Sequence, residues 1–273
     1  MKKHLTTVLL VLVLIVGLSL LLYPTFSNWW NSMHQSRAIA TYAESVAELD
    51  AVQYDNIWAS ARAYNESLLM KPNRFYLTDE EKAEYASLMD VAGSGVMCYI
   101  EIPRLNEMMP VYHGTDEAVL QVAVGHVEGT SLPTGGAGTH CVLSGHRGLP
   151  SAKLFTNLDQ LVEGDTFMLH VLDETLTYEI DQILTVLPDD VSALGIEPEM
   201  DLCTLVTCTP YGVNTHRLLV RGHRVDTVEV KTPVRLAADA VEVEMWLSAA
   251  IAVAPAALIW IIWAIAAAIL RRR

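Results

Sequence analysis

Two charge-free apolar runs stand near the two ends of the chain, and they constrain where anything folded can lie. Residues 5–22, LTTVLLVLVLIVGLSLLL, are just long enough to cross the hydrocarbon core of a bilayer as a helix. Residues 245–270, MWLSAAIAVAPAALIWIIWAIAAAIL, are easily long enough. Pro255 is tolerable there, because neighbouring groups in a membrane can satisfy the backbone it frees. Lys2 and Lys3 precede the first run and Arg271 to Arg273 follow the second. The positive-inside rule then predicts a two-span protein with both termini in the cytoplasm and residues 24–244 on the outer side. The first run has an alternative reading as a cleaved signal peptide, which leaves only the C-terminal helix as anchor. The stretch that follows it, YPTFSNWW, is bulky and offers no small-x-small cleavage site.

The segment between the runs is long enough for one ordinary domain plus accessories, in a chain of 273 residues. A formal net charge of -14 argues against nucleic acid, which needs a basic footprint. Four cysteines, Cys98, Cys141, Cys203 and Cys208, are too few for a disulfide scaffold, and no CxxC pair suggests a structural zinc site. Three of them lie in apolar strand-like runs, where a buried inert thiol is the default. Cys208 differs, because it lies at a strand end just before Thr-Pro and a turn.

Between residues 36 and 70 the apolar positions recur at helical spacing, which predicts one or two amphipathic helices. Residues 71–95 are polar, end in Gly-Ser-Gly, and read as a loop with a short helix over 78–88. A connection this long in a compact domain is usually functional or disordered. From 96 to about 225 the pattern turns to short β-rich runs: VMCYIEIP, PVYHG, HCVLSGH, DTFMLHVL, TLTYEIDQILTVL, LCTLVTC and RLLVRGHR. Helical turns interrupt them near 116–123 and 152–161. Many short, mostly antiparallel strands predict a closed or nearly closed barrel, so the chain is mainly β.

The chemistry concentrates in TLVTCTPYGVNTHRLLVRGHR, residues 204–224. An apolar strand ends at Cys208, a turn is built on Pro210 and Gly212, and Arg217 opens the next strand. A hairpin folds Arg217 back towards Cys208. A thiol becomes a nucleophile when a basic or cationic neighbour promotes its ionisation. A fixed guanidinium can stabilise the oxyanion formed when that thiol attacks a carbonyl. His146 stands at another apolar strand exit, HCVLSGHRG. If that strand and the Cys208 strand run parallel, their C-terminal ends place His146 and Cys208 on one rim. The plain alternative for Arg217 is a solvated strand-end charge. His113, His126, His140 and His216 have no metal-ligand spacing and read as ordinary histidines, and Cys141 and Cys203 as core cysteines.

TLVTCTPYGVNTHRLLVRGHR resembles the active-site segment of the sortases, and SGHRGLPSAKLFTNLDQLVEGD resembles their histidine segment. The order His, Cys, then Arg nine residues later also fits. The extension before the barrel and the second apolar run resemble class C, the pilin-polymerising group. The resemblance implies a sortase-type closed β-barrel of about eight strands, with N-terminal helices and two flanking transmembrane helices. It implies that Cys208 cleaves an LPxTG-like sorting signal between Thr and Gly, that His146 serves as acid and base, and that Arg217 holds substrate and oxyanion. Thr207 and Ser144 are candidates for pocket or support. The implied partners are pilin or surface-protein substrates, an amine acceptor and the membrane of a Gram-positive cell. The acceptor is a pilin lysine or, in the alternative, a peptidoglycan cross-bridge amine; a thiol protease would share the first half-reaction. No metal or organic cofactor is implied.

Class C enzymes usually carry a lid with Asp-Pro-aromatic ahead of the barrel. Here the stretch reads KPNRFYLTDEEK. Either Phe75 or Tyr76 takes the aromatic's place, or the lid is absent or different. The expected parts are an anchor over 1–23, helices and candidate lid over 24–95 and the barrel over 96–227. A linker over 228–244, a second span over 245–270 and a basic tail over 271–273 follow.

Overall fold

The structure is a computed structural model that describes residues 2–227. The linker, second span and basic tail expected from the sequence lie outside the described residues.

Eight strands close into a barrel in the order β1-β2-β3-β4-β7-β8-β6-β5. They are β1 Val96–Ile102, β2 Glu107–His113, β3 Val124–His126, β4 Thr139–Ser144, β5 Thr166–Val171, β6 Glu174–Val186, β7 Asp201–Thr209 and β8 His216–Val225. Closure leaves no edge strand, so every ladder finds a partner. Seven of the strands coincide with β-rich runs read from the sequence. The eighth, β3, has only three residues, too short for any alternation to show. It pairs parallel with β2 and antiparallel with β4. The second parallel contact joins β4 to β7, from Thr139↔Asp201 to Ser144↔Val206.

Strand alternation divides the side chains cleanly. Cys98, Ile100, Leu143, Phe167, Leu205 and Val220 point inward and are fully buried. The opposite face of β4, β7 and β8 carries a smaller apolar cluster, Val142, Leu219 and Leu194, with Val206 packed against it.

Before the barrel, helix α1 runs unbroken over Lys2–Ala47 and includes Pro24. The sequence suggested a span over 5–22 and a separate helix from about 36. The structure joins them, because residues 23–35 hold no glycine and continue as helix through Pro24. Proline removes one helical hydrogen bond, and a long helix can absorb that loss. Part of α1 is long and apolar enough to cross a membrane. Helix α2, Ala51–Leu69, starts at a capping box in which Asp50 accepts from the Gln53 amide and the Gln53 side chain accepts from the Asp50 amide. Its Trp58 and Ala61 join the main core. Its buried Asn65 accepts from the Leu132 amide at 2.7 Å and donates to the Leu132 carbonyl at 3.1 Å, clamping the loop before β4. Helix α3, Asp79–Ser87, begins at the equivalent box of Thr78 and Glu81. A one-turn helix α4, Glu117–Leu120, and a 3-10 helix, Leu154–Gln160, fall where helical turns were expected.

Candidate active site

Cys208 lies directly opposite Arg217 in the β7–β8 ladder, so the hairpin read from the sequence brings thiol and guanidinium strands together in that register. The β4–β7 ladder is parallel and ends at Ser144↔Val206. One bond further, the Gly145 amide donates to the Val206 carbonyl at 3.1 Å. Continuing that register brings His146 level with Cys208. The three candidate residues therefore meet on one rim of the barrel, at the C-terminal ends of β4 and β7 and the start of β8. Cys208 and His146 are both half-buried.

The Arg217 guanidinium donates to the carbonyls of His216 at 3.2 Å and Asn214 at 3.4 Å. These bonds use one nitrogen, and an arginine has five N–H donors, so others remain for a substrate. The bonds also hold the turn after Pro210, where the Thr209–Pro210 peptide is cis.

The His146 segment is held by its surroundings. The Phe155 amide donates to the His146 carbonyl at 3.1 Å. A Cβ on Gly145 would stand 2.7 Å from the Phe155 ring, so only glycine lets the 3-10 helix pack this close. Gly148 has φ +76 and lies under the Tyr211 ring of the β7–β8 turn.

Thr207 and Ser144 have different positions. Thr207 alternates inward and is buried, and its Oγ1 donates to the Gly145 carbonyl at 2.7 Å. It supports the rim from inside and does not line the outer face. Ser144 shares the outer face with Val206 and is half-buried.

Phe75 and Tyr76 separate sharply. Phe75 is half-buried and packs on the outer-face cluster that includes Val142 and Leu219, with Val206 two residues before Cys208. Tyr76 is 82% exposed. Arg74 anchors this segment, donating to the carbonyls of Gly129 and Leu194. Burial lowers the pKa of the Arg74 guanidinium. A side chain at Gly129 would collide with the Arg74 backbone, so the approach needs glycine there.

Two contributors were not legible in the sequence. Arg147, next to His146, pairs with Asp159 and donates to Thr209 Oγ1 at 3.3 Å, with its guanidinium 5.9 Å from the Tyr211 ring centre. It links the His146 segment to the end of the Cys208 strand. Its place beside the histidine in SGHRG was the available signal. Arg74 was the other, and nothing in KPNRFY marked its two distant carbonyl partners.

The remaining thiols face the interior. Cys141 and Cys203 lie opposite each other in the β4–β7 ladder, and all four cysteines are free. Burial pushes the Cys98 and Cys203 thiols well up, so both stay protonated. A cleft of about 570 Å³ opens among Tyr42, Val46, Tyr54, Tyr99 and Leu172. It lies at the end of the barrel opposite Cys208, and no cysteine lines it.

A closed barrel whose register brings the Cys208, Arg217 and His146 positions to one rim is the layout of a cysteine acyl-transfer enzyme of the sortase type. The sortase domain family matches residues 100–225. Sortase D of Bacillus subtilis is 33% identical over 153 residues, covering 54% of this chain and 72% of that protein. Sortase C1 of Streptococcus agalactiae is 50% identical, with a TM-score of 0.67 over 70% of this chain and 99% of its own. Sortase C of Streptococcus pneumoniae, whose structure bears on pilin substrate specificity, is 43% identical with a TM-score of 0.63, covering 70% and 97%. The chain belongs to the sortase family of cysteine transpeptidases, and these similar structures are class C sortases.

Proposed function

We propose that this sortase joins pilin subunits at the outer face of the cell membrane. The Cys208 sulfur attacks the Thr carbonyl of an LPxTG-like sorting signal. The Thr–Gly C–N bond breaks, His146 protonates the departing glycine amine, and a thioester remains on Cys208. A lysine amine of the next pilin then attacks the thioester and loses a proton to His146. An amide forms, and the thiolate leaves on Cys208. Arg217 donates to the carbonyl oxygen as it becomes an oxyanion, the charge change that a fixed cationic donor favours most. Thr207 holds the rim through Gly145, and Ser144 borders the signal on the outer face.

The observation that carries this reading is the register. Cys208 faces Arg217 across β7–β8, and the parallel β4–β7 ladder, continued past Ser144↔Val206 by the Gly145 bond, supports His146 as the residue level with Cys208. The likeness to class C structures at 43–50% identity favours a pilin lysine as acceptor over a wall cross-bridge amine. In this reading Phe75, laid on the outer face beside Val206, is the lid aromatic, and Arg74 straps it down. The first apolar run serves as an uncleaved anchor, with the barrel on the outer side.

The test uses the full chain in nanodiscs with an LPxTG-type peptide. Intact mass spectrometry is expected to show an acyl adduct that digestion maps to Cys208 and that Cys208→Ala abolishes. A pilin domain with its lysine is then expected to clear the adduct faster than water or a cross-bridge peptide. Clearance by the cross-bridge amine alone would move the enzyme to wall anchoring. Clearance indifferent to any amine would make it a protease.

A further inference from the structure

Helix α1 lies along the barrel and measures it from end to end. Near its apolar part, Ser27 Oγ and Asn31 Nδ2 donate to the Ser151 carbonyl at 3.2 and 3.0 Å, and Asn28 accepts from the Lys153 amide at 2.8 Å. Residues 151–153 follow directly on the His146 segment. Further along, Tyr42 donates to the Met97 carbonyl at 3.0 Å and accepts from the Leu172 amide at 2.8 Å. Asn31 and Tyr42 are eleven residues apart, about 16 Å of helix.

The ladder directions identify these two levels with the two ends of the barrel. Leu172 caps the β5–β6 turn, where β6 begins. β6 runs from there to Val186, which pairs with Arg217, the residue facing Cys208. The Leu172 end and the Cys208 end are therefore opposite ends, and the Cys208 end is the one level with Ser27–Asn31. Ser27 is five residues from Leu22, about 8 Å along the helix from the end of the apolar run. Tyr23 and Phe26 in between, and Trp30 just beyond, are half or more exposed on α1, an aromatic composition that suits a membrane–water interface.

The turn that projects from this same end, Pro210–Asn214, exposes Tyr211 by 60% and Val213 by 64%. Exposed apolar side chains usually need no explanation when scattered. Here two share one turn beside the reacting thiol, at the end nearest the anchor.

We propose that the rim bearing Cys208 rests on the phospholipid surface, with Tyr211 and Val213 entering the headgroup layer. The bonds from Ser27, Asn28 and Asn31 fix the rim at that height. The site then opens at the lipid interface, where it meets substrates held in the same membrane, while the Leu172 end points away. This rests on the apolar part of α1 being a membrane span and does not depend on transpeptidation.

The experiment places a single reactive cysteine in the full chain, on a Cys208→Ala background in which the other three thiols are buried. Val213→Cys and, separately, Tyr211→Cys report on the rim. Val52→Cys reports on the far end; it is 69% exposed, near Tyr54, which bonds Asp173 beside Leu172. Each is labelled with an environment-sensitive fluorophore and reconstituted into vesicles of phosphatidylcholine with a minority of phosphatidylglycerol. A lipid with a nitroxide near its headgroup is expected to quench positions 213 and 211 several-fold more than position 52. Equal quenching at both ends, or stronger quenching at position 52, would overturn the proposal. Because no turnover is read, that failure is distinct from failure of the transpeptidase reading.

Discussion

Thr207 Oγ1 donates a hydrogen bond of 2.7 Å to the carbonyl of Gly145. The residue before Cys208 is thereby tied to the residue before His146 across a sequence separation of 62. The bond is buried, and the two strands that lead to Cys208 and His146 meet at it. Thr207→Val removes the donor while keeping the shape, and leaves the Gly145 carbonyl buried and unpaired at a cost of about 1–3 kcal/mol. Thermal unfolding should register that loss. Adduct formation should slow as well, and Thr207→Ser should recover most of both. Unchanged adduct kinetics in Thr207→Val would show that the bond serves folding alone.

Arg217 is half-buried, and among the described residues its bonds go only to carbonyls of its own turn and strand start. Arg217→Ala should therefore leave the melting temperature nearly unchanged. It should slow single-turnover adduct formation by about 10²–10³-fold, the loss typical of one oxyanion donor. Arg217→Lys keeps the charge but not the planar fork, so it should recover only part of the rate. A full rate in Arg217→Ala would return this residue to a solvated strand-end charge.

The outer-face packing of Phe75 and the exposure of Tyr76 predict unequal effects on access to the thiol. Phe75→Ala should raise the rate at which a small alkylating reagent modifies Cys208 several-fold. Tyr76→Ala should leave that rate unchanged. Arg74→Ala should resemble Phe75→Ala, because it frees the same segment from Gly129 and Leu194. Equal rates in all three variants and the parent would mean that the segment does not cover the thiol.

Burial lowers the pKa of His140 from its ordinary 6.5. Nδ1 donates to the Gly195 carbonyl at 2.6 Å, and Nε2 lies 2.7 Å from Thr204 Oγ1, whose hydroxyl can donate to the neutral ring. Well above pH 6.5 the ring is neutral in folded and unfolded chains and adds no pH dependence. As the pH falls below that value the unfolded chain takes up the proton first, so stability drops until the folded ring titrates too. The slope is at most about 1.4 kcal/mol per pH unit. Denaturant unfolding of the parent and His140→Gln across this range should show a shallower decline in the variant. Parallel curves would refute a neutral His140.

What the sequence could show was what neighbouring residues decide. β-rich composition between turn residues marked seven strands, a charge-free run marked the apolar part of α1, and turn chemistry at Pro210 and Gly212 marked the hairpin. In that hairpin the register of Cys208 and Arg217 follows from a short loop, so this pair was readable from one segment. His146 was readable as a candidate, and its meeting with Cys208 only on the condition that their two strands run parallel. Whether β4 lies beside β7 is decided by barrel closure, which no local pattern records. The same closure recruited β3, too short to alternate, and turned Thr207 inward to Gly145. Phe75 and Tyr76 are adjacent and equally aromatic in the sequence. Only the outer face formed by Val142, Val206 and Leu219, from three separate strands, distinguishes them. The height of the rim along α1 was likewise undecided until distant segments, Ser151 and Leu172, bonded to the helix at separate levels. Local chemistry is written in consecutive residues, whereas the neighbours of each strand depend on how the whole chain buries its apolar faces.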